Sequence, residues 1–572
     1  MEKEESTSRC ESPMRLQRKR PATDLRKESQ KESKRESTES NDEIKSSNSS
    51  ATPEPASTGS DRSDIDGLSS PEHVTLFWFT EAALRLNDNL GLKAAMKDCK
   101  AVRFCYFLDE RFINESSPRW KFIKSALSDL DEQLKKLGSR LHVLSGQPSE
   151  RLPQIFSDWN VVRLGFSAHP GCTEMRRRDR AIVSLALRHG VEVVYRDAPQ
   201  CLYPPREIIK AAGGMPPLTF PSFVGVASQL PEPEKPISVP ESDIVMCSVS
   251  EDHDEAPQNE ILAKKDLDFP WAGGETEARA RFMSSLRHWL INRETQAVPD
   301  LRAVTPYIVQ GCLSVRQVYH DVNRVYEEIF GEKATLKLHF SSLHRDFLYN
   351  LAVVPGEDLN LDVNFDCDEA RIRTWLEGNT GFPWVDAVMR QFRTEGWVAP
   401  TLRQAVLWFL TRGVLWQTPD IAVQFMSEFC LLDLPLAKGY AAWASGTGAW
   451  CENDVAHKCP KVDAEYIRKW VPEVRELTDE QIHEPWTTQT PADYVSLIVQ
   501  HKISHRRSQA KYYETLKRSS GKLLSRLDKL GREKTKMTPL NLEPNLWEDQ
   551  KSTMDRETYL HFLQKVQNNW SH

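Results

Sequence analysis

Clustered basic residues are the first groups in this sequence with an evident chemistry. Arg18-Lys19-Arg20, Arg26-Lys27 and Lys34-Arg35 stand close together within the first tenth of the 572 residues. Their type and spacing suit a nuclear import signal or a weak phosphate-binding arm. An ordinary mixed-charge tail suits them equally, because acidic residues interleave throughout. A second basic stretch runs from His505-Arg506-Arg507 and Lys511 through Lys517-Arg518 to Lys536. It reads either as a stripe for nucleic acid or as the solvated face of a helix. The formal net charge of -7 does not favour strong phosphate binding. The eleven cysteines are an odd number with no C-x-x-C pair, which predicts reduced thiols in cytosol or nucleus rather than a disulfide framework. No apolar run approaches the ~18 residues of a membrane helix, and no signal-peptide pattern opens the sequence.

The elements that must position any chemistry begin at His73. Residues 1–72 carry no aromatic side chain and are dense in Ser, Thr, Glu, Lys and Arg. They hold too little apolar surface to offset the entropy of ordering, so a disordered tail is predicted. Over residues 73–200 the short apolar runs VTLFWF, AVRFCYFL, RLHVLSG, VVRLGFS and VEVVYR alternate with helical segments, among them 120–137 and 175–188. Strand alternating with helix predicts an α/β domain whose parallel sheet is covered on both faces. No G-x-G-x-x-G follows the first strand, so the dinucleotide fingerprint is absent. Residues 201–268 read as a connector and a Pro-, Glu- and Asp-rich linker. Residues 269–516 read as an all-α domain, and 517–572 as a tail with one amphipathic segment (Tyr559, Phe562, Leu563, Val566, Trp570) suited to docking.

The centre of the all-α part is the stretch 378–416. Val385, Val388, Met389 and Phe392 recur at i, i+3, i+4, i+7, and Leu402, Ala405, Val406, Phe409 and Leu410 repeat the pattern. Two helices joined by a tight aromatic loop are predicted. Gly413 stands where a left-handed C-cap belongs, and either Thr401 as a cap or Pro400 as a first-turn proline starts the second helix.

The string TGFPWVDAVMRQFRTEGW followed by LRQAVLWFLTRG, together with Leu84-Arg85-Leu86-Asn87-Asp88-Asn89 and FPWAGGETEARARF, resembles the cryptochrome/photolyase family. The similarity runs over residues 74–516 and is nearest to the animal cryptochrome and six-four photolyase branch. It implies a photolyase-like parallel α/β N-terminal domain followed by a helical domain of the type that binds flavin adenine dinucleotide (FAD). Asp88 and Asn89 then either cap the following helix or face an antenna chromophore, which is not expected here, since Thr80 stands where the family has Arg.

FAD is the cofactor the resemblance implies. Thr305 keeps the hydroxyl of the family's L-S-P-Y motif, and Arg345 in SSLHRDF keeps the charge of its Q-L-L-W-R-E-F, both suited to phosphate. Ser341 and His344 replace that motif's glutamine and tryptophan, and a family tyrosine falls on Arg293. Where the family writes G-W-x-H-H-x-x-R-H, this sequence has Pro400 and Gln404 at histidine positions. Six-four repair needs a proton donor titrating near neutrality, which neither residue supplies. Arg403 is retained; the family pairs it with the residue at Asp433 beside the isoalloxazine, a pair that equally reads as a plain buried bridge between helices. The family's second aspartate is Pro435 and its N5-facing asparagine falls on Gly439. Trp443 stands either for the flavin-proximal electron donor or for the substrate-face tryptophan. The other members of the tryptophan wire fall on Pro419 and Phe365, so photoreduction by that route is expected to fail. Cys459 and His501 occupy positions where animal cryptochromes meet clock partners. They are two soft ligands that a partner's ligands would complete into a zinc site; a core thiol and an unrelated histidine is the competing reading.

The resemblance therefore implies a cryptochrome-like, light-independent circadian-type transcriptional regulator. It would work through protein contacts in nucleus and cytoplasm, with lost repair chemistry, weak DNA binding at most and no membrane. The lost contacts, each worth about 1 kcal/mol or more, argue against tight FAD binding. The alternative is a blue-light photoreceptor or a divergent photolyase that uses FAD, with Tyr440 or Trp450 as a new electron donor.

Overall fold

The computed structural model describes residues 73–109, 113–171, 173–214, 216–217, 219–247, 269–292, 304–353, 363–445, 462–487 and 491–532. The N-terminal tail, Arg293, Trp450, Cys459 and the amphipathic segment at 559–570 lie outside them.

Five strands, β1 (Val74–Trp78), β2 (Val102–Leu108), β3 (Leu141–Ser145), β4 (Val161–Ala168) and β5 (Glu192–Asp197), form one parallel sheet in the order β3-β2-β1-β4-β5. Helices α1 (Leu90–Ala95), α2 (Pro118–Lys136), α3 (Pro148–Asp158) and α4 (Thr173–Arg188) connect them. The two-residue period of a strand decides what each side chain meets. Phe77, Phe104 and Tyr106 join the core of α2, whose Ile123, Leu127, Leu130 and Leu134 are buried. Leu76, Trp78, Cys105 and Phe107 face the other way, onto Leu152, Ile155 and Phe156 of α3 and Ile182 and Ala186 of α4. The predicted α/β layering is thus present. The first of these cores continues without a break into the helical half of the molecule.

The connector holds α5 (Pro205–Ala211), α6 (Phe220–Ala227) and α7 (Glu241–Cys247), so the predicted linker contains a helix. The helical half comprises α8 (Glu275–Asn292), α9 (Thr305–Val309), α10 (Val315–Phe330), α11 (Phe340–Val353), α12 (Glu369–Glu377), α13 (Pro383–Glu395), α14 (Pro400–Trp408), α15 (Asp420–Gln424), α16 (Leu434–Ser445), α17 (Ala464–Trp470) and α18 (His501–Arg532). The predicted pair is α13 and α14. Val385, Val388, Met389 and Phe392 are buried, as are Ala405, Val406, Phe409 and Leu410, while Leu402 is half-buried. Gly396, with φ of 70°, closes α13 in the left-handed conformation.

Three expectations are corrected here. Gly413 is not a left-handed cap. The second helix widens into a π turn over Phe409–Gly413, and a Cβ at Gly413 would lie 2.2 Å from the Trp408 ring, so glycine serves close packing there. Ala399 rather than Thr401 is the N-cap of α14, and Pro400 starts it. The thiols are not all reduced: Cys367 is disulfide-bonded, whereas Cys99, Cys105, Cys201, Cys247, Cys312 and Cys430 are free.

The Leu84–Asn89 loop fixes the two halves together. Asn89 caps α1, accepting from Leu92 N at 3.0 Å. Asp88 instead binds across the boundary, accepting from Arg316 Nε at 3.1 Å and Nη2, from Ser314 Oγ, and from Ile237 N at 3.0 Å. Arg85 donates to Gly311 O at 2.8 Å, and Glu275 accepts from Leu86 N at 2.7 Å and Asn87 Nδ2 at 2.6 Å. Buried groups so fully engaged are structural ties.

Candidate functional site

Helix α16 lies between the α/β domain and the helical core, and it carries most of the positions the sequence singled out. On one face it meets the α/β domain. Asp433 Oδ2 accepts from His169 Nε2 at 3.2 Å and from the Tyr349 hydroxyl, while Oδ1 caps the helix by accepting from Leu436 N at 2.9 Å. Gly171 N donates to His169 Nδ1 at 3.0 Å, which leaves the proton on Nε2, facing the carboxylate. The ring of Pro435 packs on this loop, 2.5 Å from where a Gly171 Cβ would stand. Lys438 Nζ reaches Glu174 Oε1 at 2.5 Å. One turn on from Pro435 the helix lies against α11 and α14. There a Cβ at Gly439 would sit 2.2 Å from Leu348 O and 2.7 Å from its carbonyl carbon, closer than side-chain carbons approach a backbone.

Arg403 of α14 is fully buried, and the expected pair with Asp433 does not form. Its guanidinium stacks over Trp397 at 4.2 Å and Tyr440 at 4.7 Å, and Nη2 donates to Val398 O at 2.8 Å. Nε and Nη1 are buried without a partner. Burial pushes its pKa down. Beside it, His344 packs edge-on to Trp443, with ring centroids 4.9 Å apart, and against Phe220. Burial first, and then the Arg403 charge, push His344 down to about 4, so this ring stays neutral at physiological pH.

The positions expected on the phosphate side do not gather. Arg345 Nη2 donates to Gln200 O at 2.6 Å and faces Asp346, whose carboxyl also accepts from Leu202 N at 2.8 Å and Tyr203 N at 3.0 Å. Burial pushes Asp346 up to about 6, with Arg345 opposing it. Ser341 is exposed on the first turn of α11, and Thr305 is half-buried at the first position of α9. Among the described residues no hydrogen bond joins Thr305 to either.

Comparison with known proteins decides the family. Two family profiles match, "DNA photolyase" over residues 75–241 and "FAD binding domain of DNA photolyase" over residues 335–514. Cryptochrome-2 of Gallus gallus is 33% identical over 450 residues, covering 72% of this chain and 76% of that protein. Cryptochrome-1 of Mus musculus is 33% identical over 454 residues, covering 72% and 73%. The chain belongs to the cryptochrome/photolyase family. Solved structures agree on the fold of this family member. A cryptochrome of Synechocystis sp. PCC6803 matches with a TM-score of 0.67 at 24% identity, covering 77% of this chain and 99% of that one. An archaeal photolyase from Sulfolobus tokodaii, solved with two FAD molecules, matches with a TM-score of 0.61 at 22% identity, covering 77% and 100%.

FAD belongs to this family, and the residues present can be tested against it. On the ring side they do not fit. Asp433 is committed to His169 and Tyr349, Pro435 to the Gly171 loop, and the position of the N5-facing asparagine is closed by the Gly439–Leu348 contact. On the phosphate side Arg345 is engaged with Gln200 and Asp346. Phe365 and Pro419, the missing members of the cryptochrome tryptophan wire, lie respectively against Trp416, at 4.9 Å, and at the N-cap of α15. Of the expected zinc ligands, Cys459 lies outside the described residues, and His501 stacks on His505 at 6.0 Å and meets Phe382 edge-on at 5.9 Å.

Sequence reasoning missed His169 and Tyr349. Tyr349 stands four residues after Arg345, one turn along the same helix, which is a readable signal. Nothing local marks His169, 264 residues from the carboxylate it binds.

Proposed function

We propose that this cryptochrome-family protein is a light-independent, circadian-type regulator that acts through protein contacts in nucleus and cytoplasm and has no repair activity. The observation that carries this reading is the close backbone approach of α16 to α11 at Gly439 and Leu348, at the position the family resemblance gives to the N5-facing asparagine. Pro400 and Gln404 add to it, because no group titrating near neutrality stands at those positions to pass a proton to a lesion. What remains is a two-domain scaffold whose ring-side residues serve packing. Its partners are clock-type proteins, as the animal relatives suggest.

The test is the absorption spectrum of the purified full-length protein, before and after incubation with excess FAD and gel filtration. A folded protein without a flavin band, and without turnover of lesion DNA under blue light, is the expected result. A stoichiometric flavin band or any repair overturns it.

One observation favours the flavoprotein reading. Arg403 Nε and Nη1 are buried donors without partners, and an acceptor on a bound flavin would satisfy them. Loss of any acquired flavin in Arg403→Met would support that alternative.

A further inference from the structure

Cys99 and Cys247, 148 residues apart, meet at the seam between the α/β domain and the connector. Cys99 follows α1 in a turn entered through Asp98, whose φ is 57°, and closed by Cys99 N donating to Met96 O at 3.2 Å. It is partly exposed. Cys247 is the last residue of α7 and packs into the core beside Ile244. Its thiol donates to Cys99 O at 2.9 Å, and the Cys99 thiol donates to Ala101 O at 3.4 Å. Both thiols are free.

The helix that carries Cys247 is held lightly. It has seven residues, and only Ile244 and Cys247 are buried, while Val245 and Met246 are 54% and 73% exposed. A helix this short depends on its docking contacts. The strand of connector before it is firmly pinned. Pro233 O meets His320 Nε2 at 2.9 Å, Glu234 pairs with Arg316 Nη1 at 3.1 Å, and Ile237 N donates to Asp88 Oδ1 at 3.0 Å. After Ile237 the buried side chains are Ile244 and Cys247, with Val239 partly buried against the same core.

We propose that Cys99 and Cys247 form an oxidisable pair, which a peroxide converts into a disulfide that staples α7 to the α/β domain. Cys99, the more exposed thiol, reacts first. Its sulfur attacks a peroxide oxygen, the O–O bond breaks, and one water leaves as Cys99 becomes a sulfenic acid. The Cys247 sulfur then attacks the Cys99 sulfur, the S–O bond breaks, and a second water leaves. Two thiols and one hydrogen peroxide become one disulfide and two waters. Burial, followed by the neighbouring Cys99, pushes the Cys247 thiol up to about 11, so it is the poorer first nucleophile of the two.

The experiment uses the full chain, treated with hydrogen peroxide, alkylated under denaturing conditions and mapped by peptide mass spectrometry. A linked Cys99–Cys247 peptide is expected as the main new disulfide, and proteolysis within α7 is expected to slow at least tenfold against the reduced protein. Cys247→Ser and Cys99→Ser should each abolish both effects. Pairing of either cysteine elsewhere, over-oxidation of Cys99 to the sulfinic acid without a link, or unchanged cleavage of α7 in the linked protein overturns the proposal.

Discussion

Gly439→Ala and Gly439→Asn test the closed face of α16 directly. In an ordinary helix interior, replacing glycine by alanine stabilises by about 1 kcal/mol. At Gly439 the added Cβ would stand 2.2 Å from Leu348 O, 2.7 Å from its carbonyl carbon and 3.0 Å from its Cβ. Two of those atoms belong to the backbone of α11, so no rotamer change relieves them. The helices must part by close to an ångström, and overpacking of this kind costs typically ~1–3 kcal/mol, occasionally more. The upper end applies, because the contacts of Asp433 with His169 and of Pro435 with the Gly171 loop hold α16 in place and resist that shift. The clash outweighs the helix-propensity gain, and Gly439→Ala is expected to lose about 2 kcal/mol in urea unfolding. Gly439→Asn, which restores the family's ring-facing residue, should lose more and should still not retain FAD after gel filtration. A Gly439→Ala variant as stable as the parent, or a Gly439→Asn variant that binds flavin with a raised Tm, would refute the claim that this face is closed.

Tyr349→Phe removes one of the donors to the buried Asp433 carboxylate and should cost about 1–3 kcal/mol by denaturant melts. Arg403→Met should fall within about 1 kcal/mol of the parent, because it replaces a buried cation lacking a carboxylate partner; a loss of ~3–5 kcal/mol would reveal a buried ion pair after all. His344→Phe should flatten the acid side of the stability profile. The folded pKa near 4 lies below the ordinary 6.5, so the unfolded chain takes up this proton first. The stabilising contribution is complete above pH ~6.5 and is lost as pH falls towards 4, so between pH 7 and pH 5 the variant should lose about 1–2 kcal/mol less than the parent. Asp346, pushed up to about 6, runs the other way: its contribution is complete below its unfolded value of 3.8 and is lost as pH rises to 6. Asp346→Asn should therefore steepen the fall in stability on the acid side, as read by melts at pH 4, 5 and 6.

The sheet was legible because its strands are short, nearly all-apolar runs between helical segments, the mark of a parallel sheet buried on both faces. The α13–α14 pair was legible from its 3.6-residue period, and Gly396 does end the first helix as a left-handed glycine should. The π turn at Phe409–Gly413 was not, because Leu410 continues the apolar period while Thr411 leaves helical geometry, with φ of -91° and ψ of -113°. Gly413 shows the ambiguity well. One glycine after an apolar run fits both a left-handed cap and a close ring contact, and only the Trp408 ring beside it selects the second. At the candidate site the expected pairing of Arg403 with Asp433 does not form. Arg403 and Asp433 looked like partners because the family resemblance pairs those two positions. The partner Asp433 takes, His169, comes from the end of β4, and no periodicity reaches that far.

Why a carboxylate persists at 433 can be argued from its contacts alone. Asp433 sits 4% exposed with a tyrosine hydroxyl, a histidine N–H and the backbone N–H of Leu436 all directed at it. Removing it would leave three buried donors unsatisfied, at about 1–3 kcal/mol for each. Its two flavin-side neighbours in the family pattern have no such hold. A second aspartate at 435 would bury a charge against the Gly171 loop, where the ring of proline packs instead. An asparagine at 439 would collide with Leu348. The retained residue and the two altered ones thus follow one rule: each suits α16 as a wedge between the α/β sheet and the helical core. Tyr349 and Leu348 are neighbours on α11 and both meet α16, which couples Tyr349→Phe to Gly439→Ala. Their combined loss of stability should depart from the sum of the single losses by more than about 0.5 kcal/mol, whereas additivity within that margin would mean the two contacts act independently.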